Sequence, residues 1–139
     1  MRTIDSIYVH HSASSQMETI RKMIDQWHKD RGWNGVGYHF FIEADGGIQK
    51  GRDVAVVGAH CRGHNRRSIG ICITGNFQND TILAAQELSL KILLTGLMNE
   101  YNLTKTNVFG HRENGSTLCP GDSLFAWLQT WREPNDHNA

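Results

Sequence analysis

The feature that most constrains the fold is an alternation of short apolar runs with longer segments of helical periodicity. Residues 4–9 are rich in β-branched and aromatic types, which favours a strand. Ser15 and Glu18 form a capping box, after which apolar residues recur at helical spacing. The same spacing returns over 90–101 and 124–131, so the sequence predicts amphipathic helices in all three places.

Other short runs predict the rest of a sheet. Two apolar runs, at 38–43 and 48–51, flank an Asp-Gly-Gly turn, which is the pattern of a β-hairpin. Residues 68–74 form an apolar run ended by glycine, typical of a buried central strand, and 108–109 predict a brief final strand. Residues 53–67 show no sustained period and are predicted to form a long functional loop.

Strand and helix segments alternate along the chain, which predicts an α/β fold with a mixed central β-sheet flanked by about three α-helices. A length of 139 residues fits a single domain. We expect this domain at residues 1–131, followed by a polar tail at 132–139. In such a sheet, functional residues gather at strand ends and in the loops that leave them.

Charge and hydropathy exclude several classes of function. The 14 Lys and Arg residues balance 14 Asp and Glu residues, so no strongly basic face is expected to drive nucleic-acid binding. No apolar stretch approaches the ~20 residues of a membrane span, and the N-terminus lacks the apolar core of a signal peptide. We therefore expect synthesis in the cytosol and no membrane insertion.

Side chains that bind metals are the strongest chemical signal. The chain has 8 histidines and 3 cysteines, and an odd cysteine number in a reducing compartment disfavours a disulfide framework. His111 and Cys119 flank a loop of small polar residues, and His10 lies at the end of the first predicted strand. Two nitrogens and one sulfur would hold zinc with a fourth position open for water.

Spacing alone leaves alternatives open. A cysteine beside proline is often a small buried residue, and a histidine after a strand is often a hydrogen-bonded surface group. His10 and His11 point to opposite faces of a strand, and spacing does not choose between them. His60 and His64 are a rival ligand pair, although the glycine between them disfavours the helix that would bring them together.

Five motifs follow one another in a specific order: VHHSA at 9–13, QWHKDRGWNGVGYHFFI at 26–42, GRD at 51–53, VGAHCRGHNRRSIGICITGNF at 57–77 and GHRENGSTLCPG at 110–121. Together they resemble the zinc-dependent N-acetylmuramoyl-L-alanine amidases of the type 2 amidase and peptidoglycan-recognition superfamily. The short phage lysozyme-type amidases are the most similar group. The resemblance covers almost the whole chain.

The resemblance implies a ligand set and a reaction. Zinc would be held by His10, His111 and Cys119, and the enzyme would hydrolyse the amide between N-acetylmuramic acid and L-alanine in peptidoglycan. The family's tyrosine in its GYH motif falls on Tyr38. The position two before the metal cysteine, Lys in the short phage enzymes, is Thr117 here. Both hydroxyls would donate hydrogen bonds to the tetrahedral oxyanion.

Four further residues are expected to contact substrate or to shape its cleft. His60 falls at the family's GxH position in the long loop, and Asn65 lies close to it. Arg66 is suited to bidentate binding of stem-peptide carboxylates. Glu113 is suited to accepting a proton or orienting a ligand, and a solvated surface role is equally compatible. His39 is expected to be packed, on the strand face opposite its neighbouring tyrosine.

The resemblance further implies a phage or prophage endolysin that degrades the cell wall after release and acts as a monomer. One alternative is a bacterial amidase whose export signal has been removed. Others are a non-catalytic peptidoglycan-binding module and an amidase that also inhibits a phage RNA polymerase. Relatives that only bind peptidoglycan usually lack the metal cysteine, so the complete ligand set favours catalysis.

Overall fold

A mixed sheet organises the computed structural model, which describes residues 2–16 and 37–134. Its five strands are β1 Ser6–His11, β2 Phe40–Ile42, β3 Ile48–Lys50, β4 Ser68–Ile73 and β5 Val108–Gly110. They lie in the order β3-β2-β4-β1-β5. Among the strands of the described residues, the β2–β3 pair is antiparallel and the other pairs are parallel, so the predicted mixed sheet of an α/β fold is confirmed.

The predicted strands are present, and several are shorter than the apolar runs that predicted them. The hairpin consists of β2 and β3, joined through the expected Asp-Gly-Gly turn. β4 is buried at every position and occupies the centre of the sheet, as its continuous apolar sequence predicts. The segment 53–67 is a loop that ends in a single 3-10 turn, Asn65–Arg67.

Two α-helices follow β4 in the described part of the chain. Helix α1, Ala84–Tyr101, buries leucines at helical spacing and is capped at its C-terminus by Asn102, whose backbone is left-handed with φ 56°. Helix α2, Asp122–Arg132, starts after Gly121, which has φ +94°. A Cβ at Gly121 would lie 2.4 Å from the backbone of Phe77, so only glycine fits this approach.

Both helices pack on the same face of the sheet, here called the helix face. Strand alternation places Ile7 and Val9 of β1 on this face, where they join one continuous apolar core. The core also contains Ile69, Ile71 and Ile73 from β4, Leu90, Leu94 and Leu97 from α1, and Leu124 and Leu128 from α2.

The opposite face, here called the site face, carries Tyr8 and His10 of β1. In register beside them lie Gly70 and Cys72 of β4, and Phe41 of β2. Cys72 is fully buried in mid-strand, as expected from the sequence. Polar and aromatic side chains thus occupy one side of the same strands whose other side forms the apolar core.

The helix predicted after the capping box lies outside the described residues. Within the described ranges, no helix is long and apolar enough to cross a membrane.

Candidate active site

A buried histidine near the end of β1 is the centre of the site. The His10 side chain is fully buried on the site face, and its ring centroid lies 4.6 Å from that of His111. His111 directly follows β5 and begins a short 3-10 helix, His111–Glu113. Because β1 and β5 are parallel neighbours, their carboxyl ends meet at one edge of the sheet and bring the two imidazoles together.

Cys119 completes a compact group of donor atoms. Its Sγ lies 3.7 Å from Nδ1 of His10 and accepts a hydrogen bond from the backbone N–H of His11 at 3.3 Å. One donor atom from each of His10, His111 and Cys119 lies within 4.8 Å of the other two. Among the described residues, no other group of three or more metal-ligating side chains is this close.

The chemistry of these donors fits zinc. Zinc bonds of about 2.0–2.1 Å to nitrogen and about 2.3 Å to sulfur require ligand atoms a few ångströms apart, as they are here. Burial raises the pKa of the Cys119 thiol to about 12, so the thiol holds its proton near neutral pH when no cation is bound. A divalent cation would replace that proton and balance the thiolate charge.

The two histidines of the first strand have different surroundings, which separates the alternatives left open by spacing. His11 lies on the helix face, where its Nδ1 accepts a hydrogen bond from the backbone N–H of Phe77 at 3.1 Å. Burial, assisted by the Arg112 charge, lowers the pKa of His11 to about 4. Its imidazole is therefore engaged away from Cys119, and His10 is the histidine that faces the thiol.

Several contacts hold the loop 111–119 in shape. The backbone N–H of Arg112 donates to the carbonyl of Cys119 at 2.8 Å, and the Arg112 guanidinium pairs with Asp122 at 2.9 Å. Gly115 lies against the His111 ring, which a Cβ there would approach to 3.0 Å. These contacts fix both ends of the loop that carries two of the donors.

Glu113 is occupied by the protein itself. Its Oε1 accepts hydrogen bonds from the backbone N–H of Gly110 at 2.9 Å and from Arg132 at 2.7 Å. Through this oxygen the carboxylate ties the start of the His111 turn to α2, which fits the expected role of orienting a ligand, and its contact with substrate stays a prediction.

His60 is also placed differently from its prediction as a substrate contact. It is buried, and its Nδ1 lies 3.0 Å from Nε2 of His10, on the side of the His10 ring away from Cys119. Its seat depends on Gly70, where a Cβ would lie 2.5 Å from the His60 ring. The rival pairing with His64 is not found, because His64 is exposed with its ring against Tyr8.

The other two predicted substrate contacts are Asn65, which is half-buried, and Arg66, which is exposed. Asn65 uses its Oδ1 to accept hydrogen bonds from the backbone N–H groups of His60 and Cys61, each at 2.9 Å, so it shapes the loop from inside. Arg66 is exposed on the 3-10 turn and remains suited to contact a carboxylate.

Tyr38 and Thr117 border the donor group. The Tyr38 ring is half-buried, with its centroid 5.0 Å from that of His10. Thr117 is exposed, and its Oγ1 accepts a hydrogen bond from the backbone N–H of Cys119 at 3.1 Å. Accepting at Oγ1 leaves the hydroxyl hydrogen to donate elsewhere.

His39 is packed as predicted, but the reason given from strand alternation is wrong. β2 begins only at Phe40, so Tyr38 and His39 are not held to opposite faces. The His39 ring contacts that of His60 at 5.8 Å, while its Nδ1 accepts from the N–H of Gly70 at 3.0 Å. It packs behind the site on the same side of the sheet.

Comparison with known proteins gives consistent matches over nearly the whole chain. Residues 1–122 match the family model described as N-acetylmuramoyl-L-alanine amidase. The endolysin of Escherichia phage T7 is 37% identical over 131 residues, which cover 90% of this chain and 85% of that protein. Peptidoglycan-recognition protein SC2 of Drosophila melanogaster is 35% identical over 131 residues, covering 88% of this chain and 71% of that protein.

Solved structures agree with the sequence matches. N-acetylmuramoyl-L-alanine amidase LysC from Clostridium intestinale URNW superposes with a TM-score of 0.85 at 38% identity, covering 94% of this chain and 85% of that one. Wild-type PGRP-LB from Drosophila superposes with a TM-score of 0.83 at 30% identity, covering 94% and 82%.

Proposed function

Because the chain belongs to the N-acetylmuramoyl-L-alanine amidase family, we propose that His10, His111 and Cys119 hold the zinc ion with which it cleaves peptidoglycan. The chain is a peptidoglycan amidase related to phage endolysins. The bond cleaved joins the lactyl group of N-acetylmuramic acid to L-alanine of the peptide stem. The observation that carries the proposal is the approach of three donor atoms, from distant parts of the sequence, to within 4.8 Å of one another.

The donor set suits a catalytic rather than a purely structural metal. Structural zinc is enclosed by four protein ligands, whereas a set of two imidazoles and one thiolate retains a position for solvent or substrate. A zinc ion held there supplies Lewis-acid activation of water and of the amide carbonyl near neutral pH. The other steps depend on side chains of the protein.

Tyr38 and Thr117 are proposed to stabilise the oxyanion that forms when the amide carbonyl becomes tetrahedral. Tyr38 lies against the His10 ring, and Thr117 is anchored by the backbone N–H of Cys119. Hydroxyl donors placed in advance stabilise the developing charge without reorganising in the transition state. Arg66, exposed at the end of the long loop, is proposed to bind a stem-peptide carboxylate.

We further propose that residues 1–131 form the catalytic domain of a phage or prophage endolysin. Synthesis in the host cytoplasm and action on the cell wall after release follow from that proposal. Binding of an RNA polymerase stays a prediction from the family resemblance.

Digestion of purified peptidoglycan, followed by mass analysis of the products, tests the reaction. We expect free stem peptides that begin with L-alanine. The Cys119→Ala variant should release none, while Cys61→Ala is a matched control because its buried thiol lies outside the donor group. New reducing sugar ends without free stem peptides would contradict the proposal and indicate a glycosidase.

A further inference from the structure

A chain of hydrogen bonds runs from the back of the site to His10. Ser68 Oγ lies 2.6 Å from the carbonyl oxygen of His64 and 3.2 Å from Nε2 of His60. Nδ1 of His60 lies 3.0 Å from Nε2 of His10, and Nδ1 of His10 lies 3.7 Å from Sγ of Cys119. Two side chains, Ser68 and His60, thus connect a backbone carbonyl in series to the donor cluster.

The direction of each hydrogen bond follows from the backbone carbonyl of His64, which cannot donate a hydrogen. A carbonyl oxygen only accepts, so the single hydroxyl hydrogen of Ser68 points to His64. Towards His60, the Ser68 oxygen can then only accept, and Nε2 of His60 must carry a hydrogen. A neutral imidazole has one such hydrogen, so Nδ1 of His60 is an acceptor.

His60 is neutral because of where its ring lies. The side chain is buried against Gly70 and beside His39, and its two ring nitrogens contact a hydroxyl and another imidazole. A buried charge is costly without an opposite charge beside it, and the two groups that contact the ring nitrogens are uncharged, so the ring is held as the neutral imidazole.

We infer that Ser68 and His60 fix His10 in the tautomer with hydrogen on Nε2, so that Nδ1 is the nitrogen that binds the cation. The inference rests on the proposed function, since it assigns the ligand atom of a proposed zinc histidine. His60 and Ser68 are positioning residues: they act through His10. A ligating histidine whose other nitrogen is hydrogen-bonded keeps both its tautomer and its ring orientation.

Two glycines make room for the His60 ring. A Cβ at Gly70 would lie 2.5 Å from the His60 ring, and a Cβ at Gly58 would lie 2.8 Å from it. The ring therefore has one position, at hydrogen-bonding distance from both Ser68 and His10. Any side chain at Gly70 would displace His60 and break the series.

Nitrogen NMR of the full-length chain tests the tautomers directly and needs no substitution. Long-range proton–nitrogen correlation spectra, recorded on zinc-free and zinc-loaded protein near neutral pH, identify which ring nitrogens carry hydrogen. We expect Nε2 of both His10 and His60 to carry it in both samples. A hydrogen on Nδ1 of His10 in the zinc-free protein would overturn the inference.

Zinc affinity, measured by competition with a chromophoric chelator, tests the consequence. Ser68→Ala should weaken zinc binding by about 10- to 100-fold, as is typical for the loss of a group that orients a ligand. Ser6→Ala is the matched control, because Ser6 is the buried partner of Ser68 in the register of β1 and β4 but bonds to Asp5. It should bind zinc like the wild type.

A pair of substitutions at His60 separates positioning from packing. His60→Asn retains an acceptor oxygen near the place of Nδ1, and His60→Leu does not. Asn should therefore retain more zinc affinity than Leu, and equal losses would contradict the positioning role. Thermal unfolding of each variant establishes that the folded protein is being compared.

The outcomes distinguish this inference from the proposed function. If the wild type binds zinc and releases stem peptides but Ser68→Ala has the affinity of Ser6→Ala, the inference fails and the proposed function stands. If the wild type binds no zinc, the proposed function fails, and the ligand-atom assignment fails with it, whichever tautomer the spectra show.

Discussion

The two faces of the sheet are built from alternate residues of the same strands, yet they serve different purposes. On the helix face, Ile7 and Val9 pack into the apolar core beneath α1 and α2. On the site face, Tyr8 and His10 lie among imidazoles, hydroxyls and a thiol. The period of two residues in a strand therefore separates the residues that stabilise the fold from those that perform chemistry.

The faces also differ in what a substitution removes. Apolar packing on the helix face is non-directional, so the loss of a side chain costs mainly buried area and leaves a cavity. On the site face, each buried polar atom needs its own partner, because an unpaired one costs about 1–3 kcal/mol. Changes on the helix face should lower the free energy of unfolding, whereas changes on the site face should alter metal binding and rate.

The largest expected effect is on the site face. Cys119→Ala removes the only sulfur donor of the group, so bound zinc and amidase activity should both be lost. The free energy of unfolding, compared between zinc-free proteins, should change by no more than about 1 kcal/mol. Metal analysis and denaturant unfolding check both parts, and full zinc retention would remove Cys119 from the site.

Tyr38→Phe removes only one hydroxyl of the site face, so it separates an effect on the rate from an effect on zinc binding. The amidase rate should fall by about 100- to 1000-fold, the usual cost of an oxyanion donor, because the interaction strengthens in the transition state. Zinc content should be unchanged. A variant that loses zinc together with its activity would show that Tyr38 supports the metal site instead.

Leu94→Ala is the matching test on the helix face. Leu94 of α1 is fully buried in the core between this helix and the sheet, so the free energy of unfolding should fall by about 2–5 kcal/mol. Zinc affinity of the folded protein should stay close to the wild-type value. A large loss of zinc affinity would mean that the two faces are not independent.

A smaller effect on the stability of the folded protein is expected when the pH is lowered, because of His39. Burial lowers the pKa of His39 to about 4, from an ordinary value of 6.5. As pH falls, the unfolded chain takes up this proton near pH 6.5 but the folded protein only near pH 4, so the folded state loses stability between those values.

Replacing His39 isolates its contribution to the pH dependence of the free energy of unfolding. His39→Gln removes the titrating ring, so the gap in unfolding free energy between wild type and variant should narrow by up to about 3 kcal/mol from pH 7 to pH 4. Denaturant unfolding at several pH values measures the gap. A gap that is constant across this range would contradict a neutral, buried His39.

Much of the fold could be predicted from the sequence because its signals are local. The continuous apolar run of β4 and the leucine spacing of α1 each depend on one short segment. The order of strands in the sheet involves contacts between distant segments, and spacing does not specify it.

The site was predictable only in part, because its residues come from distant segments whose contacts spacing does not specify. Alternation shows that His10 and His11 face opposite ways, but which face holds the site depends on where α1 and α2 pack. The role of His60 depends on the glycine at position 70 that makes room for its ring, a relation visible only in three dimensions. The role of Glu113 likewise depends on its ion pair with Arg132, which lies on another element and is not visible from the sequence around Glu113.

X-ray absorption at the zinc edge of the purified protein tests the central claim most directly, because it reports the atoms around the metal. We predict about one zinc per chain, with one sulfur at about 2.3 Å and nitrogen or oxygen neighbours at about 2.0–2.1 Å. The sulfur signal should persist in Cys61→Ala protein. A zinc environment without sulfur, or a folded protein that binds no zinc, would contradict the account.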